Sequence, residues 1–258
     1  MSGRPVKLSG VEHWFDGPQG SSPHRILERT NIDVGAQEFV ALVGPSGCGK
    51  TTVLNMVAGL ITPSHGSVQV GGQAPRLGDP GIGYLLARDA LLPWLTALQN
   101  VTLPLEIRGV RREERQQIAR DVLRDVGLAE FTDAYPAQLS HGMRQRVAVA
   151  RTLVPEPSTL LMDEPFSALD AQTRLRLQGQ FLRLWERQKS TVVFVTHDLS
   201  EAIIMADRVL VFSARPGSII AEFPVTLPRP RNVVDLQGSS EYHELFQKIW
   251  QIFKQEVA

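Results

Sequence analysis

Three stretches of the chain are apolar at nearly every position rather than at every second one. Residues 38–43, 158–164 and 191–197 each read as a β-strand buried on both faces, and the last two end in polar residues. Other stretches carry the helical period. Val53, Met56, Val57 and Leu60 predict a helix over 52–60, and Ile118, Val122, Leu123 and Val126 predict one over 113–126, with Gly127 as its stop. A further helix is predicted over 142–153. A last one over 240–257 has Tyr242, Leu245, Phe246, Ile249, Phe253 and Val257 as its apolar stripe and Ser239 or Ser240 as its cap. That stripe is expected to pack on the rest of the chain. Residues 6–43 read as short strands and turns, with an exposed loop at 16–23, and 66–72 as another short strand. Parallel strands with helices between them gather strand-terminal polar residues at one edge of a sheet, where α/β proteins bind ligands.

The first buried strand runs directly into Gly44-Pro45-Ser46-Gly47-Cys48-Gly49-Lys50-Thr51, with Thr52 opening the helix that follows. This fits G-x-x-x-x-G-K-[ST] in the strand–loop–helix context that the motif requires. Gly44, Gly47 and Gly49 allow a close backbone approach that a Cβ would block. Successive N–H groups then form an anion-binding concavity, reinforced by the positive end of the helix. Lys50 is expected to reach the β- and γ-phosphates, and the Thr51 hydroxyl to take a position on Mg²⁺. A nucleoside triphosphate is the expected ligand.

Composition narrows the partners. Lysine plus arginine total 27, as do aspartate plus glutamate, so nothing marks a polyanion-binding surface and no nucleic-acid partner is expected. The single cysteine, Cys48, excludes a disulfide framework and fits a reducing compartment. Its place in the phosphate loop suits a small residue, although oxidation or alkylation there would block nucleotide binding. No apolar run reaches the roughly 20 residues that span a bilayer, and the first residues lack a secretory pattern. Membrane work would therefore need a partner.

Asp163 ends the second buried strand, where a carboxylate opposite a phosphate loop holds Mg²⁺ directly or through water. Glu164 stands one residue further on, where it could accept a proton from an attacking water. Three more segments complete a pattern: Leu139-Ser140-His141-Gly142-Met143, then Asp163-Glu164-Pro165-Phe166-Ser167-Ala168-Leu169-Asp170, then Thr196-His197-Asp198. Together with the phosphate loop, over about residues 6–231, the chain resembles the ATPase subunits of ABC transporters. That resemblance implies a P-loop α/β (RecA-like) core with an N-terminal antiparallel β portion and an inserted helical subdomain at about 88–155. It also implies two copies meeting head to tail around ATP. Ser140 and Gly142 would contact the γ-phosphate bound by the other copy, and His197 would sit at the γ-phosphate and the water activated by Glu164. Asp170 would lie in the loop crossing between copies, and Phe15, with Trp14 as the alternative, would stack on the adenine. The domain is read as 1–231, with 232–258 as a helical extension.

A narrower likeness rests on Asp89-Ala90-Leu91-Leu92-Pro93-Trp94 and on Arg215-Pro216-Gly217-Ser218-Ile219-Ile220, followed by Leu227-Pro228-Arg229-Pro230-Arg231. These resemble nitrate, sulfonate and taurine-type importers. The likeness implies transmembrane permease subunits as partners, an extracytoplasmic solute-binding protein acting indirectly, and a place on the cytoplasmic face of the cell membrane. Two positions depart from the family pattern. Ala87 stands where a metal-ligating, coupling glutamine is usual, which predicts weakened coupling rather than lost ATP binding. His141 replaces the first signature glycine and is expected to point away from ATP, the alternative being a pH-sensitive cation near the phosphates. The alternatives left open are a regulatory, weakly hydrolysing module and a non-transport ABC ATPase.

Overall fold

The computed structural model describes residues 3–17, 22–167 and 169–257, without the side chain of Val257. Part of the expected 16–23 loop, Ala168 and Val257's place in the last helical stripe therefore lie outside the described residues.

A six-stranded sheet forms the centre of the molecule. Its strands are β3 (Phe39–Val43), β5 (Ile82–Leu85), β6 (Thr159–Asp163), β7 (Thr191–Thr196), β8 (Arg208–Phe212) and β9 (Ile219–Pro224), in the order β5-β6-β7-β3-β8-β9. All pairings are parallel except β8–β9. The continuous apolar runs have a direct cause: alternate residues enter two different cores. Phe39, Ala41, Val43, Leu160, Met162, Val192 and Phe194 face one layer. Val40, Leu42, Leu161, Val193 and Val195 face the other.

The second layer holds α1 (Lys50–Val57) and a three-stranded antiparallel sheet. That sheet is made of β1 (Val6–Phe15), β2 (His24–Val34) and β4 (His65–Val70), ordered β2-β1-β4. Helix α1 stops three residues short of the predicted end. Gly59 takes φ +72°, and a Cβ there would strike the backbone of Arg76 and Leu77, so the chain turns and Leu60 is left exposed.

The opposite layer is helical: α2 (Ala97–Ile107), α3 (Arg112–Asp125), α4 (His141–Leu153), α5 (Ala171–Gln188), α6 (Leu199–Met205), the short α7 (Val233–Leu236) and α8 (Ser240–Val257). Between β5 and β6, α2, α3 and α4 pack on one another. The Thr96/Gln99 capping box starts α2. Phe39, Phe166, Phe181, Trp185 and Phe194 meet edge to face beneath the sheet, with centroids from 5.4 Å (Phe39–Trp185) to 6.4 Å (Phe166–Phe181) apart. Helix α8 starts at the Ser239 hydroxyl, which accepts from the Tyr242 N–H, and buries Tyr242, Ile249 and Phe253 in the same core. No helix among the described residues is long and apolar enough to cross a membrane.

Candidate nucleotide site

The carboxyl ends of β3, β6 and β7 deliver the chemistry-bearing residues to one edge of the sheet. From β3 the chain enters the phosphate loop, in which Gly47 (φ +79°) and Gly49 (φ +101°) take left-handed angles. A Cβ on Gly44 would stand 2.8 Å from that of Phe212, and one on Gly49 would stand 2.6 Å from Leu27 Cδ2. Both glycines are thus required by the packing around the loop. Lys50 is buried, and its ammonium donates to the carbonyls of Gly44 (2.7 Å) and Pro45 (2.8 Å), with Cys48 Sγ at 3.6 Å. Among the described residues no carboxylate pairs with it. A buried cation that meets two carbonyls and a thiol but no carboxylate, inside a glycine cradle, fits a polyphosphate ligand.

The Thr51 hydroxyl donates to Asp163 Oδ1 at 3.1 Å. Burial pushes the Asp163 carboxyl above its ordinary value; the Thr51 hydrogen bond opposes that rise, the Glu164 charge adds to it, and Lys50 opposes it. A hydroxyl and a half-buried carboxylate in contact are a donor set suited to Mg²⁺, a hard cation that takes oxygen ligands and keeps several waters. Tyr84 of β5, whose hydroxyl donates to Asn55 Oδ1 at 2.9 Å, has its own proton held more firmly by burial and by the Asp163 charge.

Glu164 sits just past β6 at φ +44°, an angle rarely taken by residues other than glycine. Its N–H donates to the Val195 carbonyl of β7 (2.9 Å), which fixes the turn. Its Oε2 lies 3.0 Å from His197 Nδ1. A carboxylate hydrogen-bonded to an imidazole, beside the loop, can accept or hold a proton at that point.

Phe15, Ile26, Ser46, Gly47, Gly49–Thr52, Glu164 and Arg215 line one cleft of about 240 Å³. Phe15, at the end of β1, is 43% exposed, and its ring meets that of His13 edge-on at 4.7 Å. The structure places a second group of expected site residues outside this lining. Ser140 caps α4, its Oγ accepting from the Met143 N–H at 3.3 Å. The helix begins at His141 rather than at Gly142. His141 Nδ1 lies 3.4 Å from Arg144, which donates to Asp89 Oδ2 at 3.0 Å. Gly142 packs against α5, where a Cβ would stand 2.9 Å from Thr173 Cγ2. Asp170 caps α5 through the Thr173 N–H at 3.0 Å, and this hydrogen bonding holds its carboxyl below the usual range. Ala87 is exposed beyond β5. The segment after it is tied to α4 through Asp89 and through Arg151, which donates to the carbonyls of Asp89 and Ala90.

Two contributors to the cleft are not identified by the sequence reading. Ile26 carries no chemical signal in sequence. Arg215 is visible only as part of a family-like string, because its position depends on a loop folding back over 168 residues.

The sequence profile described as ABC transporter matches residues 27–167. The taurine import ATP-binding protein TauB of Rhizobium johnstonii is 39% identical over 248 residues, 95% of this chain and 94% of that protein. The nitrate import ATP-binding protein NrtD of a Synechocystis species is 42% identical over 225 residues, 86% of this chain and 83% of that protein. Among solved structures, the dimeric post-hydrolysis state of the ATP-binding cassette MJ0796, bound to ADP and Pi, superposes with a TM-score of 0.75 at 33% identity. It covers 86% of this chain and all of that one. With this geometry and these relatives, the chain belongs to the ABC transporter family as an ATP-binding subunit that hydrolyses ATP.

Proposed function

We propose that two copies of this chain clasp ATP between the phosphate loop of one and the Ser140–Gly142 helix start of the other, and so drive import of a small anionic solute. Support comes from the division seen in a single copy. Lys50, Thr51 and Glu164 line one cleft at the sheet edge, Asp163 and His197 are hydrogen-bonded to two of them, and Ser140, Gly142 and Asp170 neither line that cleft nor bond to the residues that do. A second copy would complete the pocket.

Residues 44–49 would cradle the phosphates through their N–H groups, Lys50 would exchange its two carbonyl contacts for β- and γ-oxygens, and Phe15 would stack on adenine. Thr51 and Asp163 would hold Mg²⁺, which neutralises charge developing on the phosphoryl oxygens. Glu164 orients the attacking water and takes up its proton, and His197, 3.0 Å away, holds that carboxylate in place and reaches the γ-phosphate. The helix start at Ser140 of the opposite copy adds its positive end at the transferring group.

The energy would pass to transmembrane permease subunits on the cytoplasmic face of the membrane, with a solute-binding protein delivering substrate outside. The names of two relatives, a taurine and a nitrate import ATP-binding protein, support that solute class. The observation that carries the reading is the Glu164–His197 pair beside the phosphate loop. Glu164→Gln should lower steady-state ATP hydrolysis at least about 100-fold while leaving ATP binding intact. A variant hydrolysing at the wild-type rate would remove Glu164 from the chemistry.

A further inference from the structure

The loop joining β8 to β9 has no part in the chemistry above, yet it is pressed onto the phosphate loop. A Cβ on Gly217 would stand 1.8 Å from the Cys48 carbonyl oxygen, so the two loops are in direct backbone contact. The Gly217 N–H donates to the Ile26 carbonyl (2.8 Å), and the Gly217 carbonyl accepts from the Glu28 N–H (2.9 Å). These bonds stitch the loop to β2. Within it, Ser213 Oγ donates to the Pro216 carbonyl at 3.2 Å. From α8, the Glu256 carboxylate accepts the Ala214 N–H at 2.8 Å. The backbone on both sides of residue 215 is thereby fixed.

Arg215 extends from this braced loop to the mouth of the cleft. Its Nε donates to the Gly47 carbonyl at 3.2 Å, and its side chain lines the same cleft as Phe15, Lys50 and Glu164. We propose that Arg215 is a nucleotide-binding residue, a second cation that joins Lys50 in holding the polyphosphate. This rests on the ATP reading and extends it to a position outside the phosphate loop. The guanidinium carries five N–H donors in a rigid fork, and the Gly47 carbonyl takes one of them. Among the described residues no carboxylate pairs with it. Exposed arginines elsewhere in the molecule, such as Arg124 and Arg187, are paired with carboxylates. Here the backbone is clamped from three sides and the side chain is anchored beside the glycine that opens the second half of the loop. Charge, donor geometry and position all suit an oxyanion of the nucleotide.

The test uses the full chain with Arg215→Ala and Arg215→Lys, and ADP and ATP as titrants in calorimetry at low and high salt. Loss of one charge-assisted contact should weaken both nucleotides about tenfold in the alanine variant at low salt. Lysine should restore part of that loss, because it keeps the charge without the fork. High salt should narrow the gap between wild type and Arg215→Ala. The melting temperature without nucleotide should stay that of the wild type in both variants. Wild-type affinity in Arg215→Ala overturns the proposal. So does an equal, salt-independent loss in both variants, which would make Arg215 a brace for Gly47 only. A wild-type chain that binds neither nucleotide would instead overturn the ATP reading itself.

Discussion

Glu201, in the first turn of α6, is a carboxyl with little water around it. Thr196 donates its hydroxyl to one oxygen at 2.7 Å, Gln178 reaches the other at 3.3 Å, and Arg174 stands 3.8 Å away. Burial outweighs these contacts and pushes the carboxyl from 4.5 up to about 7. The folded state therefore holds this proton more tightly than the unfolded chain does. The stability it brings is complete below about pH 4.5 and is lost as the pH rises through about 7, an effect of roughly 3 kcal/mol at most. Urea unfolding between about pH 5 and pH 8 should show the wild type losing stability relative to Glu201→Gln. Parallel pH dependences for the two proteins would contradict that assignment. The phosphate loop, Asp163 and Glu164 can be read from sequence because each motif is contiguous and its spacing is set by one turn of backbone. Glu201 and Arg215 cannot, because burial in one case and a loop returning from the far side of β8 in the other give them their character.

The elements differ in the same way. β3, β6 and β7 announce themselves as unbroken apolar runs because both faces are covered, and α8 shows a stripe because only one of its faces is. Helix α5 is harder to see, although Asp170 caps it. Its first two turns are mostly polar, with Leu177 the first fully buried core residue, and Phe181, Leu182, Leu184 and Trp185 follow in its second half. The overlong α1 expectation has a similar origin, since Leu60 keeps the period while Gly59 ends the helix. Helix α8 is packed by side chains rather than merely tethered. Phe253→Ala should lower the free energy of unfolding by about 3 kcal/mol, read as a lower urea midpoint with an unchanged slope. A loss below about 0.5 kcal/mol would mean that α8 is not packed on the core.

At the scale of the whole molecule, the proposed function gives one copy the phosphate loop and only half of the ATP pocket. The sheet edge gathers Lys50, the Thr51–Asp163 hydrogen bond and the Glu164–His197 pair, and the capped start of α4 lies outside the lining of that cleft. Hydrolysis disposes of the triphosphate that would hold two such copies together, so a variant that binds without hydrolysing should trap the pair. The most direct measurement is the mass in solution of Glu164→Gln with Mg²⁺ and saturating ATP, by sedimentation equilibrium. The account requires the mass to rise from 28.5 kDa to about twice that value with ATP and to fall back with ADP. A mass that stays at 28.5 kDa with ATP fully bound would contradict it.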